Sequence, residues 1–380
     1  MSCPHIAVQG ITAFYAERLR RKTFVKRVPV SGSMELTNRC NLRCAHCWIS
    51  SPDCYPDPAP ELTTGECIEI LDQLVEAGCL WLLLTGGEPL LRPDFFEIYT
   101  AAKERGFLVS FFTNGTLVSP SLVDRLRDLP PHWVEITLYG ATEETYARIT
   151  GVSGGLERCL RGVELLLDRG IKLKLKSVLH KLNVAELDEL RKIAEGYGVE
   201  FRHDALLNCG VQGERHPLQY RLAPEQVVAL DLSDDRWVRG TKSFIERYGL
   251  MASPTETVFD CGAGVNTVHI DCHGQMTPCM TLRHPAIDIR GGRLAAVWET
   301  DVKELLRRPW TTSSRCRTCK LLWLCESCPA WAWLEHGDFE TPVDFLCRIA
   351  HLVSDEFGLM DGGEDGDHEQ REPRRRQTAL

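Results

Sequence analysis

Cys40, Cys44 and Cys47 lie on one short segment, Cys40-Asn41-Leu42-Arg43-Cys44-Ala45-His46-Cys47-Trp48, with the spacing C-x3-C-x2-C. Three thiolates so placed can ligate three irons of a cubane, whereas a structural cluster takes four cysteines. The missing ligand leaves one iron open, and an open position distinguishes a catalytic metal from a closed structural one. An amino and carboxylate pair could chelate that iron and bring a sulfonium beside the cluster. One-electron transfer would then cleave the sulfur–carbon bond. The competing reading is a zinc loop with His46 as fourth ligand. Convergence on one tetrahedron is difficult there, because His46 directly adjoins Cys47.

The chain has 17 cysteines in 380 residues, and most of the remainder fall after Asp260. Cys261, Cys279, Cys316, Cys319, Cys325, Cys328 and Cys347 form a second region. Taken alone, Cys316-x2-Cys319-x5-Cys325-x2-Cys328 reads as a zinc knuckle. The N-terminal sequence MSCPHIAVQGITAFYAERLRRK lacks the apolar stretch and cleavage site of an export signal. A reducing cytoplasm is therefore expected, where clustered thiols bind metal rather than form disulfides. Cys3, Cys54, Cys67, Cys79, Cys159 and Cys209 fall outside both patterns and read mostly as small buried hydrophobes. Residues 261–350 have short apolar pieces and little room for a core, so metal should organise them.

The elements that position the first segment follow from an alternation between Gly32 and Cys209. Strands are expected at Ser33–Leu36, Trp81–Leu84, Leu108–Phe112, Trp133–Leu138, Leu173–Val178 and Glu200–Leu206. Helical patterns lie between them, as in Cys67, Ile70, Leu71, Leu74 and Val75, with a cap at Thr63 and a stop at Gly78. Six strand–helix repeats predict an α/β fold with a parallel sheet, fewer than the eight of a closed barrel and hence a partial TIM-like barrel. Chemistry belongs at the C-terminal ends of such strands. The Cys40 segment, Gly86-Gly87-Glu88-Pro89, Thr113-Asn114-Gly115 and Thr137-Leu138-Tyr139-Gly140 all fall on that rim. The expected division is an N-terminal extension (1–31), the barrel (32–209), linker helices (210–260) and the cysteine-rich unit (261–350). The tail 361–380, nearly devoid of apolar residues, reads as disordered. No apolar run is long enough to span a bilayer, so no membrane role is expected. A formal net charge of -9 argues against nucleic acid.

Residues 33 to 208 resemble the radical S-adenosylmethionine (SAM) superfamily. The resemblance implies a [4Fe–4S] cluster on Cys40, Cys44 and Cys47 that cleaves bound SAM to a 5′-deoxyadenosyl radical. It implies that Trp48 packs near the adenine, that Gly86, Gly87 and Glu88 receive the methionine amino group, and that Thr137 contacts the ribose. Arg148 matches an arginine that meets the SAM carboxylate, against the plain reading of a solvated helix residue. Asn114 is assigned to the same cofactor site, although Asn-Gly is also an ordinary turn dipeptide. Glycines let a backbone approach a ligand closely, and a carboxylate can pair with an ammonium.

The second region resembles the SPASM extension of these enzymes, which holds two auxiliary [4Fe–4S] clusters. By that resemblance Cys261, Cys279 and Cys328 serve the first, and Cys316, Cys319, Cys325 and Cys347 the second. The x2 spacing from Cys325 to Cys328 departs from the usual x3. Cys272 is one candidate for the fourth ligand of the first auxiliary cluster; an open iron or a substrate ligand are the others. Relatives with this extension commonly modify peptides or proteins, which is the expected function here. A flavodoxin- or ferredoxin-type reductant is implied, and a separate recognition protein can accompany a peptide substrate. The alternatives are radical modification of a small molecule in cofactor, tetrapyrrole or antibiotic-sugar biosynthesis, and a non-catalytic iron–sulfur electron carrier. Met280 follows Cys279, and Tyr139 stands where sulfatase-maturing relatives often carry aspartate, so formylglycine formation is disfavoured.

Overall fold

A computed structural model describes residues 22–49, 59–248, 255–325 and 328–359. Cys3, Cys54, most of the N-terminal extension and the 361–380 tail lie outside the described residues.

Each expected strand forms: β1 (Ser31–Glu35), β2 (Trp81–Thr85), β3 (Leu108–Thr113), β4 (Trp133–Thr137), β5 (Leu173–Val178) and β6 (Glu200–Asp204). Helices α1 (Thr64–Glu76), α2 (Phe95–Glu104), α3 (Pro120–Asp128), α4 (Glu143–Thr150), α5 (Gly155–Asp168) and α6 (Leu187–Gly196) alternate with them. All six strands pair in parallel in sequence order, the open sheet of a partial TIM-like barrel. α1 begins as expected: the Thr63 hydroxyl accepts from Glu66 N–H, and the Glu66 carboxylate accepts from Thr63 N–H at 2.8 Å. Gly78, at φ +87°, ends the turn that follows.

Strand alternation divides the sheet into two faces. Leu82, Leu84, Val109, Phe111, Val134 and Ile136 are buried in the core. The residues between them, Thr85, Phe112 and Thr137, line an inner cavity together with Glu35, Lys176 and Asp204. Several strand ends shift by one or two residues from expectation, with β2 and β3 reaching Thr85 and Thr113 and β4 stopping at Thr137. β1 starts at Ser31 and ends at Glu35, and β6 ends at Asp204 rather than Leu206.

The sheet is larger than the repeats imply. It has nine strands in the order β6-β5-β4-β3-β2-β1-β7-β8-β9. β7 (Thr267–Ile270) runs parallel to β1, while β8 (Gln275–Thr277) and β9 (Ile287–Asp288) add antiparallel pairs. β1 would otherwise be an open edge with unpaired backbone groups, and β7 satisfies it. Val268, Ile270, Met276, Ile289 and Trp298 consequently join the main core, so the cysteine-rich region shares the barrel's burial. Its own clusters are small, one around Val258, Phe259, Leu282 and Phe339 and one around Ala332, Val343 and Leu346.

Between β6 and β7 lie α7 (Pro224–Leu232) and α8 (Asp235–Tyr248), and after β9 come α9 (Pro329–His336) and α10 (Asp344–Glu356). Arg348 on α10 pairs with Glu225 on α7 at 3.0 Å. Cys67, Cys79, Cys159 and Cys209 are buried, as expected of small hydrophobes. Among the described residues, no helix is long and apolar enough to cross a membrane.

Candidate functional site

The C-terminal ends of β1 to β6 surround a cavity of about 350 Å³. Cys40, Cys44 and Cys47 all line it, with Trp48, Gly86, Gly87, Asn114 and Thr137. The cysteine loop is held by backbone bonds rather than by its own regular structure. Arg43 and Ala45 N–H donate to the Thr150 and Ile149 carbonyls at the end of α4, each at 2.8 Å. Beyond Cys47, Val211 N–H donates to the Trp48 carbonyl at 2.8 Å, and His216 Nε2 meets the Cys47 carbonyl at 3.1 Å.

Burial pushes the Cys40 thiol up to about 11 and Cys44 well above its ordinary value, and repulsion from the neighbouring cysteine sulfurs adds to both shifts. Bare thiols in this setting stay protonated and unreactive. A bound metal reverses that, because a coordinating thiol is deprotonated. Three mutually close thiols facing one cavity therefore fit a cluster with one side left open. Among the described residues, no three His, Cys, Asp or Glu side chains converge on a single-ion site. His46, the zinc alternative, is buried with its ring 4.3 Å from that of His180 and 5.8 Å from that of Tyr139.

Gly86 and Gly87 are required by the protein's own packing. Gly86 has φ +129°, and a Cβ there would collide with the Thr37 carbonyl oxygen. A Cβ on Gly87 would collide with the Arg39 carbonyl. Gly87 and Glu88 N–H donate to those same carbonyls at 2.7 and 2.9 Å. The glycines thus bring the cysteine loop onto the end of β2 while also facing the cavity.

Two of the assigned side chains stand off the cavity wall. The Glu88 side chain does not line the cavity. Its Oε1 accepts from Leu90 N–H at 3.1 Å and from the Thr113 hydroxyl at 2.8 Å, and its Oε2 accepts from Asn114 N–H at 2.8 Å. Burial pushes this carboxyl up to about 7. Glu88 therefore fixes the end of β3 instead of presenting a free carboxylate to an ammonium. Arg148 is exposed and off the cavity wall; its Nη2 donates to the Leu182 carbonyl at 2.7 Å.

Asn114 is more than a turn residue. Its Nδ2 donates to Asn41 Oδ1 at 2.8 Å and reaches Cys40 Sγ at 3.9 Å, while its Oδ1 accepts from the Thr116 hydroxyl at 2.6 Å. It ties the β3 rim to the cysteine loop.

Sequence reading missed Glu35, Lys176, Asp204 and Met280 on the cavity wall. The signal for the first two is a charge inside a strand of a sheet covered on its outer face. Lys176 Nζ lies 2.9 Å from Glu135 Oε1 and 3.2 Å from the Phe112 ring centroid, and burial pulls it down to about 8. Arg202 completes the group, its Nε donating to Glu135 Oε2 at 3.1 Å. Met280 brings the segment after Cys279 to the cavity.

In the second cysteine region, burial pushes the Cys328 thiol up to about 12, with added repulsion from Cys279 and then Cys261. These three are neighbours. A hydrogen bond from Cys325 pulls Cys347 down to about 6, assisted by the adjacent Arg315. Cys316, Cys325, Cys328 and Cys347 line one small pocket, so Cys328 sits between the two groups. Cys319 lies beside it, its N–H donating to the Cys316 carbonyl at 3.4 Å. Cys272 is buried on the β7–β8 side, and its carbonyl accepts from Leu62 N–H at 2.7 Å.

Residues 34–194 match the family model of the radical SAM superfamily. The chain is 29% identical over 324 residues to an AdoMet-dependent heme synthase of Methanosarcina barkeri, covering 80% of this chain and 92% of that protein. It is 31% identical over 304 residues to the mycofactocin maturase MftC of Mycolicibacterium smegmatis, covering 77% of this chain and 75% of that one. Against MftC of Mycobacterium tuberculosis identity is 34%, and the match spans 64% of that protein's length. In fold, it is similar to Streptococcus suis SuiB bound to its precursor peptide SuiA. The TM-score is 0.65 at 18% identity, covering 91% of this chain and 82% of that one.

Proposed function

Because this chain belongs to the radical SAM superfamily, whose members are enzymes that cleave SAM, we propose that it modifies a ribosomally made peptide or a protein. The observation that carries this reading is one cavity with Cys40, Cys44 and Cys47 on one wall and Met280, next to Cys279, on another. Radical generation and the auxiliary-cluster segment then face the same substrate. The cavity's size, about 350 Å³, is near the lower end of what one small ligand occupies. The likeness to SuiB, whose solved structure holds its precursor peptide, adds support.

In this reading Cys40, Cys44 and Cys47 hold a [4Fe–4S] cluster. Cys261, Cys279 and Cys328 hold a first auxiliary cluster, and Cys316, Cys319, Cys325 and Cys347 a second. With SAM bound, the cluster on Cys40, Cys44 and Cys47 would supply the radical chemistry that removes hydrogen from an unactivated carbon. Trp48 and Thr137 offer the cofactor a ring face and a hydroxyl, and Asn114 keeps the cysteine loop against the β3 rim. Gly86 and Gly87 leave the space beside that loop free of side chains. Residues 32–209 would make the radical, 261–350 would carry the auxiliary clusters, and 210–260 would join them. A flavodoxin- or ferredoxin-type reductant and a reducing cytoplasm suit the same chemistry, and the peptide would arrive with a separate recognition protein or dock directly in the barrel mouth.

A second reading, tetrapyrrole modification, is favoured by the heme synthase likeness, which extends over 92% of that protein. One experiment separates the two. Anaerobically reconstituted protein with dithionite and SAM is offered peptides encoded by neighbouring genes, and separately a tetrapyrrole. A mass change in a peptide, abolished with 5′-deoxyadenosine formation by Cys44→Ala, supports the proposal. Peptides left unchanged by an enzyme that converts the tetrapyrrole would refute it.

A further inference from the structure

Glu35, His269 and Arg283 form a buried charged network where β1, β7 and the segment after Cys279 meet. β1 and β7 pair in parallel with Ser33 opposite His269, which places Glu35 one pleat further along the same face. Arg283 Nη1 and Nη2 donate to the two Glu35 carboxylate oxygens at 3.2 and 2.5 Å. Nη1 also donates to His269 Nε2 at 2.9 Å. Arginine has no acceptor, so Nε2 must be the unprotonated nitrogen of His269. The ring proton therefore sits on Nδ1 and donates to Ser33 Oγ at 2.8 Å. His269 and Glu35 are 0% and 2% exposed, and the fork is held on both sides.

The guanidinium also meets the site. Its carbon lies 5.8 Å from the centroid of the Trp48 ring, and Trp48 lines the cavity. A buried ion pair is weak grounds for stability in itself, since apolar residues could fill the same space. What this pair does is fix the plane beside Trp48.

We propose that Arg283 is a positioning residue for the cofactor: clamped by Glu35 and His269, it backs the Trp48 ring and fixes the wall on which the adenine of SAM rests. This rests on the reading of Trp48 as the adenine's neighbour. Because Arg283 follows Cys279 by four residues, the same contact ties the auxiliary-cluster segment to the SAM wall.

The test is a double-mutant cycle on the full-length reconstituted enzyme, with Arg283→Gln, Trp48→Ala and the pair together. SAM KM, kcat for 5′-deoxyadenosine formation and iron content are measured for each. Arg283→Gln should raise the KM for SAM about tenfold and lower kcat far less, the pattern of lost binding shared by ground and transition states. In the Trp48→Ala background the same change should add little, because the support acts only through the ring. An unchanged KM, or effects that multiply independently in the double variant, overturns the proposal. Glu35→Gln covers the case in which Arg283→Gln loses iron. It keeps Arg283 and loosens its clamp, so a raised KM at full iron content supports the proposal and a wild-type KM overturns it. If Trp48→Ala alone leaves KM unchanged, the reading of Trp48 has failed, an outcome distinct from any at Arg283.

Discussion

Glu88 accepts three hydrogen bonds at the end of β3, and that arrangement has a pH signature. Its folded value, about 7, lies above the ordinary carboxyl value of 4.5. The folded state therefore holds a proton that the unfolded chain releases. The resulting stabilisation is fully present below about 4.5 and is lost as pH rises through about 7. Thermal melts at pH 5, 6, 7 and 8 should show this decline in the wild type and a flatter profile in Glu88→Gln. At pH 5 the glutamine should be the less stable of the two. Its NH2 cannot accept, so it leaves one of the backbone donors unmet, a cost of about 1–3 kcal/mol. A parallel decline in both proteins would mean that Glu88 does not titrate in this range. Arg148 belongs at the same scale. Its guanidinium bonds the Leu182 carbonyl, so Arg148→Gln should alter SAM KM less than Arg283→Gln.

Between elements, the decisive contact joins the end of β1 to the end of β2. Gly86 and Gly87 allow the Thr37–Arg39 backbone to lie against β2, and the cysteine loop starts from there. Gly86→Ala must accommodate both a collision with the Thr37 carbonyl and a φ of +129°. Backbone strain of that kind costs roughly 1–3 kcal/mol. The variant should melt lower and, after reconstitution, hold about four fewer irons than the roughly twelve expected of three cubanes. Wild-type iron content would show that the loop tolerates displacement. The helix signals on the same elements were local and legible. Thr63 and Glu66 cap α1 within one turn, whereas the unbroken run Leu82-Leu83-Leu84 marks a strand without telling which face is buried.

At the scale of the whole molecule, β7 closes the edge of β1 and carries residues 267–289 into the main core. A chain ending at Asp260 would expose that edge and leave the β1 side of the core open to solvent. Unpaired edges of this kind promote association. Size-exclusion chromatography should find the truncated protein aggregated, and its circular dichroism should show loss of cooperative melting. A monomer with an intact melt would mean that the barrel folds without its C-terminal strands.

By itself the sequence determined what near neighbours decide: three cysteines on one loop, a cap within a turn, and a rim of motifs at successive strand ends. These depend on spacing along the chain, and the backbone transmits spacing directly. The tertiary structure alone decided which partner each polar group found. Glu88 turns to Asn114, 26 residues away, and Arg283 reaches Glu35 across 248 residues. β7 chooses β1 for a similar reason, since only the assembled sheet reveals which edge lacks a mate. Such choices are made by burial, where a polar group takes whichever partner the packed core brings within reach. Cys40, Cys44 and Cys47 could thus be read from the chain, but the wall that faces them could not.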